Sequence, residues 1–132
     1  SGWMTSLVPL YLKHVFAYEP YFENAKVIYH AFNEGFEGSL DASMAAKAEA
    51  HGIPADALSS IGEPTFENLN ALGMQGADAI IVGSDELSTE SQAVLAGMNK
   101  PIMPYSGSEG FVSEINAFYD TMLEGKAEAV AE

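Results

Sequence analysis

The chain has no cysteine and no arginine among its 132 residues, and only five lysines stand against 19 aspartates and glutamates. The lack of cysteine excludes disulfides, thiolate nucleophiles and thiolate metal sites. The lack of arginine, with a formal net charge of -14, excludes nucleic acid and anionic membrane surfaces as partners. Both need clustered cations to displace counterions, and this surface repels them. The three histidines, His14, His30 and His51, lack the close spacing of a metal site, so no metal and no cofactor is expected. No apolar run approaches the roughly 18 residues that span a bilayer, and no signal segment opens the chain, so a cytoplasmic location is the default expectation. No repeat of roughly 20 to 50 residues is visible.

What is present is an ordinary globular composition, 48% apolar, in a length that suits one domain burying about two-thirds of its unfolded surface. The central stretch is Ala25 to Gly38. Its first half, Lys26 to Phe32, is rich in β-branched and aromatic residues and reads as a strand. Its second half carries Asn33, Gly35 and Gly38, which let the backbone turn sharply above the strand's carboxyl end, where ligands sit in open α/β sheets.

Upstream, Trp3, Met4, Leu7, Val8, Tyr11, Leu12, Val15 and Phe16 recur at helical spacing, with Thr5 or Ser6 as cap and Pro9 in the first turn. Downstream, the spacing predicts an alanine-rich helix over 40–51 stopped by Gly52, and a short helical piece from Pro54 to Ile61. A helix capped by Thr65 follows, its core face formed by Phe66, Leu69, Leu72 and Met74. Ala77 to Gly83 is an apolar run suited to a strand covered on both faces. A helix over 89–96 comes next, then a short edge strand over 100–105 between prolines. The cleanest amphipathic helix is the last, with Phe111, Val112, Ile115, Phe118, Tyr119, Met122 and Leu123 three and four apart.

Helices alternating with short apolar strands predict an α/β fold, a Rossmann-like parallel sheet with helices on both faces. Residues 1–124 read as one such domain. With only three strands countable, it is partial, the missing strands lying upstream or in a separate chain. The acidic segment 125–132 reads as a frayed tail.

Trp3-Met4-Thr5-Ser6-Leu7-Val8-Pro9-Leu10-Tyr11-Leu12-Lys13 resembles the helix that glycogen and starch synthases carry after an Asp-Trp-His element. Ala25 to Gly38 resembles their strand and loop ending in His-Asn, a few variable residues and Tyr-Gln-Gly, and Ala77 to Ser84 is similar to a later strand of the same domain. The resemblance covers about residues 1 to 105. It implies the second part of the N-terminal Rossmann-like domain of a GT-B glycosyltransferase of family 5, in a short bacterial form. Such enzymes serve glycogen biosynthesis by moving glucose from ADP-glucose to an α-1,4-glucan, with retention and without a metal. An α-glucan and ADP-glucose are the partners so implied, and Trp3, His30, Asn33, Gly35 and Gly38 are the candidate substrate-binding residues.

The sequence departs from that pattern at three positions. Phe32 stands where the family has a His, and Gly2 and Met4 stand where it has Asp and His. The resemblance therefore leaves catalytic competence open and names no catalytic residue. The alternative is a non-catalytic α-glucan-binding or regulatory module that keeps the acceptor-domain fold. Met4 and Phe32 read as core fillers, His30 as a strand histidine satisfied by a backbone partner, and Glu34 and Glu37 as a solvated carboxylate pair.

Overall fold

A computed structural model describes residues 1–107 and 109–131, with side chains described as far as residue 125. Three strands, β1 (Ile28–Ala31), β2 (Ala79–Val82) and β3 (Ile102–Met103), form one parallel sheet in the order β1-β2-β3. The register pairs Tyr29 with Ile80 and His30 with Ile81, then Ile81 with Met103. The helices are α1 (Val8–Leu10), α2 (Met44–Ala50), α3 (Ala55–Leu58), α4 (Phe66–Gly76), α5 (Thr89–Ala96) and α6 (Phe111–Ala131), with α4 lying between the sheet and α1 to α3. This is the expected parallel α/β arrangement, with β3 at an edge. The tail read from 125 onward falls largely outside the described side chains, although α6 is helical through Ala131.

The helix at the heart of the molecule is α4. Thr65 Oγ1 accepts from Asn68 N–H at 3.2 Å and caps it, as its position before Phe66 predicts. Seven of its 11 residues are buried, so it is covered on more than one side. Toward the sheet, Met74 packs with Tyr29, Ala31, Ala77, Ile80 and Leu87. Toward the opposite side, Leu69 and Leu72 pack with Leu10, Ala48, Ile53, Leu58 and Ile61 from α1 to α3. Two glycines make this sandwich possible. A Cβ on Gly73 would stand 2.4 Å from the Tyr29 ring, and one on Gly76 would stand 3.0 Å from Pro9. The Tyr29 ring comes closer to the helix backbone than a side chain at 73 would allow, and Pro9 leaves only a tight fit at 76.

A chain of buried polar groups crosses this core. Tyr29 Oη donates to Asn70 Oδ1 at 2.9 Å, Asn70 Nδ2 donates to Ser91 Oγ at 3.1 Å, and Ser91 N–H is held by Ser88 Oγ at 3.2 Å. Strand β1, α4 and α5 are thus tied side chain to side chain, and each buried group has a partner. Burial pushes the Tyr29 phenol well above its ordinary range, so it stays a neutral donor.

The carboxyl end of α4 is closed by a cation. Lys100 Nζ donates to the carbonyls of Met74 at 3.3 Å, Gln75, and Ala77 at 2.6 Å, meeting orphan carbonyls where the helix dipole is negative. Partial burial lowers its pKa from the usual lysine value. Lys100→Met should cost about 1 to 2 kcal/mol of stability, since charged hydrogen bonds to carbonyls are lost; urea denaturation at neutral pH checks this.

The N-terminal segment is less regular than its spacing predicts. Trp3–Thr5 is a 3-10 turn, Val8–Leu10 a single α turn and Tyr11–Val15 π-helical. Neither Thr5 nor Ser6 caps it: Thr5 Oγ1 donates back to the Gly2 carbonyl at 3.0 Å, and Leu7 holds the cap position without a side-chain bond. Pro9 does fall at the start of the α turn. The final helix departs further from expectation. Among its described side chains none is buried, and Val112 and Leu123 are 72% and 59% exposed. No helix among the described residues is long and apolar enough to cross a membrane.

Candidate functional site

At the carboxyl end of β1 the chain turns back on its own beginning. Gly2 N–H donates to the His30 carbonyl at 2.9 Å, laying the Trp3–Thr5 turn beside the segment that leaves the strand. Between them is a cleft of about 370 Å³ lined by Gly2, Trp3, Met4, Phe32, Glu34 and Gly35, with Ser1 at its rim. The Trp3 ring is half-buried and leans on Phe36, centroids 4.6 Å apart. Phe32 lies against the backbone of Gly83, where an added Cβ would stand 2.4 Å from its ring.

Two of the five residues expected at the site, Trp3 and Gly35, line this cleft. Gly35 is required there by close packing, because a Cβ would stand 2.4 Å from the Phe66 ring. Asn33 lies between two cleft residues but is exposed, and its N–H donates to Ser84 Oγ at 3.0 Å, joining the loops after β1 and β2. Gly38 has φ of +79°, which favours glycine. It delivers the chain to the bridge between Ser39 and Thr65, away from the cleft.

His30 does not line the cleft, although its ring lies 6.5 Å from that of Phe32, which does. It shares the sheet face of Ile81, and its Nε2 lies 3.0 Å from Tyr119 Oη on α6, so its ring partner is a side chain rather than the expected backbone group. Burial, the larger cause, and the terminal ammonium hold its pKa below the ordinary value. The folded chain therefore takes up this proton less readily than the unfolded chain. Stability is whole above about pH 6.5 and is lost as pH falls from there through the folded pKa. His30→Gln, which keeps a polar partner for Tyr119, should flatten the drop in urea midpoint between about pH 7.5 and 5.5. Asp78 titrates in a separate, more acidic window. Burial opposes its charge, but the Val27 N–H and Lys13 hold its carboxyl below the usual range.

Met4 is 79% exposed and Phe32 half-buried at the cleft wall, so neither is the core filler that its apolar character predicts. Glu34 and Glu37 are both exposed, as a solvated pair should be, and of the two Glu34 lines the cleft. The spacing from Asn33 to Gly38 held a signal for Glu34, since it lies in the stretch whose glycines let the chain turn at the strand end. Among the described residues no three His, Asp or Glu side chains gather as a metal site would require.

The three positions where the sequence departs from the synthase pattern, Gly2, Met4 and Phe32, thus meet in one cleft with Trp3. The arrangement offers two aromatic rings, one carboxylate and peptide groups, and no imidazole. The model of a protein family described as the starch synthase catalytic domain matches residues 1–100. No curated protein and no solved structure matches the chain. The match spans most of the chain and contains both the cleft and the strands that form it, so the chain belongs to the starch synthase catalytic domain family.

Proposed function

We propose that this chain is the acceptor-side domain of a starch-synthase-type glucosyltransferase, holding an α-1,4-glucan in the cleft while ADP-glucose is bound mainly by another domain or chain. The observation that carries this is the chemistry of the cleft: Trp3 and Phe32 supply apolar faces for a pyranose ring, and Glu34 is the one charged side chain among the lining residues. A carboxylate accepts hydrogen bonds from sugar hydroxyls and repels a pyrophosphate. With no arginine in the sequence and no lysine lining the cleft, ADP-glucose affinity should be no tighter than about millimolar.

The same cleft supports a second reading, a glucan-binding or regulatory module with the chemistry gone. Phe32, Gly2 and Met4 offer neither an acid, a base nor an imidazole N–H to a departing group. Losing one such positioned group costs about 10² to 10⁴ in rate, so Phe32→His alone should not create activity.

Incubating the chain with radiolabelled ADP-glucose and glycogen, beside a competent glycogen synthase, tests both readings. Retention on glycogen with label transfer at least about 10⁴-fold below the synthase is expected. Transfer by this chain within about 100-fold of the synthase would overturn the division of labour, and failure to bind glycogen would overturn the acceptor role.

A further inference from the structure

Glu34 brings the only side-chain charge to the lining of the cleft at the carboxyl end of β1, and nothing neutralises it. Among the described residues no hydrogen bond or ion pair reaches its carboxylate. The backbone that presents it is nonetheless held on both sides. Asn33 N–H donates to Ser84 Oγ at 3.0 Å, and Gly35 lies so close to Phe66 that a Cβ there would stand 2.4 Å from the ring. Phe36 then meets Trp3, centroids 4.6 Å apart, which ties the loop to the opposite wall. The loop after β1 thus fixes where Glu34 leaves the backbone, while its side chain stays exposed.

An uncompensated carboxylate in that wall treats sugars differently according to their charge. Neutral hydroxyls donate to it. A phosphate monoester, with about -1.5 to -2 charges at neutral pH, or a carboxylate at C6 brings like charge instead. Two unit charges about 4 Å apart repel by roughly a factor of five in affinity even at the dielectric of water, and by more where protein excludes it. No lysine lines the cleft and the sequence has no arginine, so no cationic side chain offsets that repulsion. The net charge of -14 adds a diffuse repulsion, screened beyond about 8 Å at physiological salt.

We propose that Glu34 is a specificity-determining residue, restricting the cleft to uncharged stretches of α-glucan and turning away stretches that bear phosphate monoesters or C6 carboxylates. This rests on the reading that the cleft holds an α-glucan. The selectivity comes from a repulsive group set against the wrong ligand, without a further contact to the right one. A phosphorylated glucan is then held only by its unmodified stretches.

The test compares maltoheptaose with maltoheptaose oxidised at C6, whose every glucosyl unit carries a carboxylate, so that any placement brings negative charge to Glu34. Calorimetric titration at about 0.15 M salt reads both sugars against the wild type, Glu34→Gln and Glu37→Gln. The Ser1 ammonium at the rim is acetylated in all three. Glu37 is exposed on the same loop and does not line the cleft, so its replacement removes an equal charge from the molecule and leaves the cleft intact. Both glutamates are exposed, and both variants should melt with the wild type. The wild type should prefer the neutral sugar at least about fivefold, Glu37→Gln should keep that ratio to within about twofold, and Glu34→Gln should cut it at least about threefold. If the wild type binds both sugars alike, or the two variants lose the preference equally, Glu34 is not the selector and the glucan reading stands. If Glu34→Gln loses both sugars, Glu34 is a contact for the glucan itself and the proposal is overturned. If the wild type binds neither sugar, the glucan reading fails and this proposal with it.

Discussion

Asn70→Ala should lower the thermal midpoint by roughly 10 to 20 °C, the largest loss expected from any single polar substitution in this fold. Asn70 is fully buried and is the middle link between Tyr29 on β1 and Ser91 on α5. Truncation leaves the Tyr29 hydroxyl without its acceptor, at about 1 to 3 kcal/mol, takes one of two partners from the Ser91 hydroxyl, which keeps Ser88 Oγ at 3.1 Å, and adds a small void. The sum is about 3 to 5 kcal/mol, a large fraction of a typical domain's stability. Tyr29→Phe provides the comparison. It removes one hydroxyl and keeps the ring that lies against Gly73, so its cost should stay at about 1 to 3 kcal/mol. Calorimetry on both variants checks the order, and equal effects would mean that the bond between Tyr29 and Asn70 carries the whole tie and the link to Ser91 adds nothing.

The second large effect concerns the cleft. Trp3→Ala should weaken binding of maltoheptaose at least about tenfold, because a fully truncated aromatic anchor forfeits well over 1 kcal/mol of contact with its ligand. It also removes the ring that leans on Phe36, so some loss of stability accompanies it. Trp3→Phe separates the two contributions: it keeps an aromatic face for the sugar and should retain most of the affinity. Binding followed by calorimetric titration reads both variants, and a Trp3→Ala chain that binds as well as wild type would remove Trp3 from the site.

Much of the fold was legible in local pattern. The Thr65 cap, the apolar run that becomes β2 and the proline-flanked edge strand β3 depend on residues close in sequence. The interior of α4 was legible only in part. Phe66, Leu69, Leu72 and Met74 follow a helical stripe, but Asn70, Gly73 and Gly76 are buried beside them for reasons that lie 21 to 67 residues away. A helix sandwiched between two layers buries polar and small residues whose partners no periodicity announces. The opposite error occurs at α6, whose stripe is the most regular in the sequence and whose described side chains are the least covered. Periodicity reports which face is apolar, and not whether anything lies on it.

The site was legible to a similar degree. The glycines after β1 pointed to the end of the strand where the cleft opens, and the synthase-like stretch from Trp3 supplies its other wall. That Gly2, Trp3, Met4, Phe32 and Glu34 would line one cleft depended on the Gly2 to His30 backbone bond, which no spacing predicts. His30 was drawn to the site because it stands two residues from the family's His, on the strand face of Phe32, and it does not line the cleft. Alternation along a strand puts it on the face opposite Tyr29, where Tyr119, 89 residues on, supplies its partner.

The most direct test of the acceptor role is a titration of the isotopically labelled chain with maltoheptaose, followed amide by amide by nuclear magnetic resonance. A glucan held at the carboxyl end of β1 should shift the amides of Gly2, Trp3, Met4 and of Phe32 to Gly35 together, along one saturating curve. Saturating shifts confined to other parts of the chain, or no shift at these residues at millimolar sugar, would contradict the assignment of this cleft to an α-glucan.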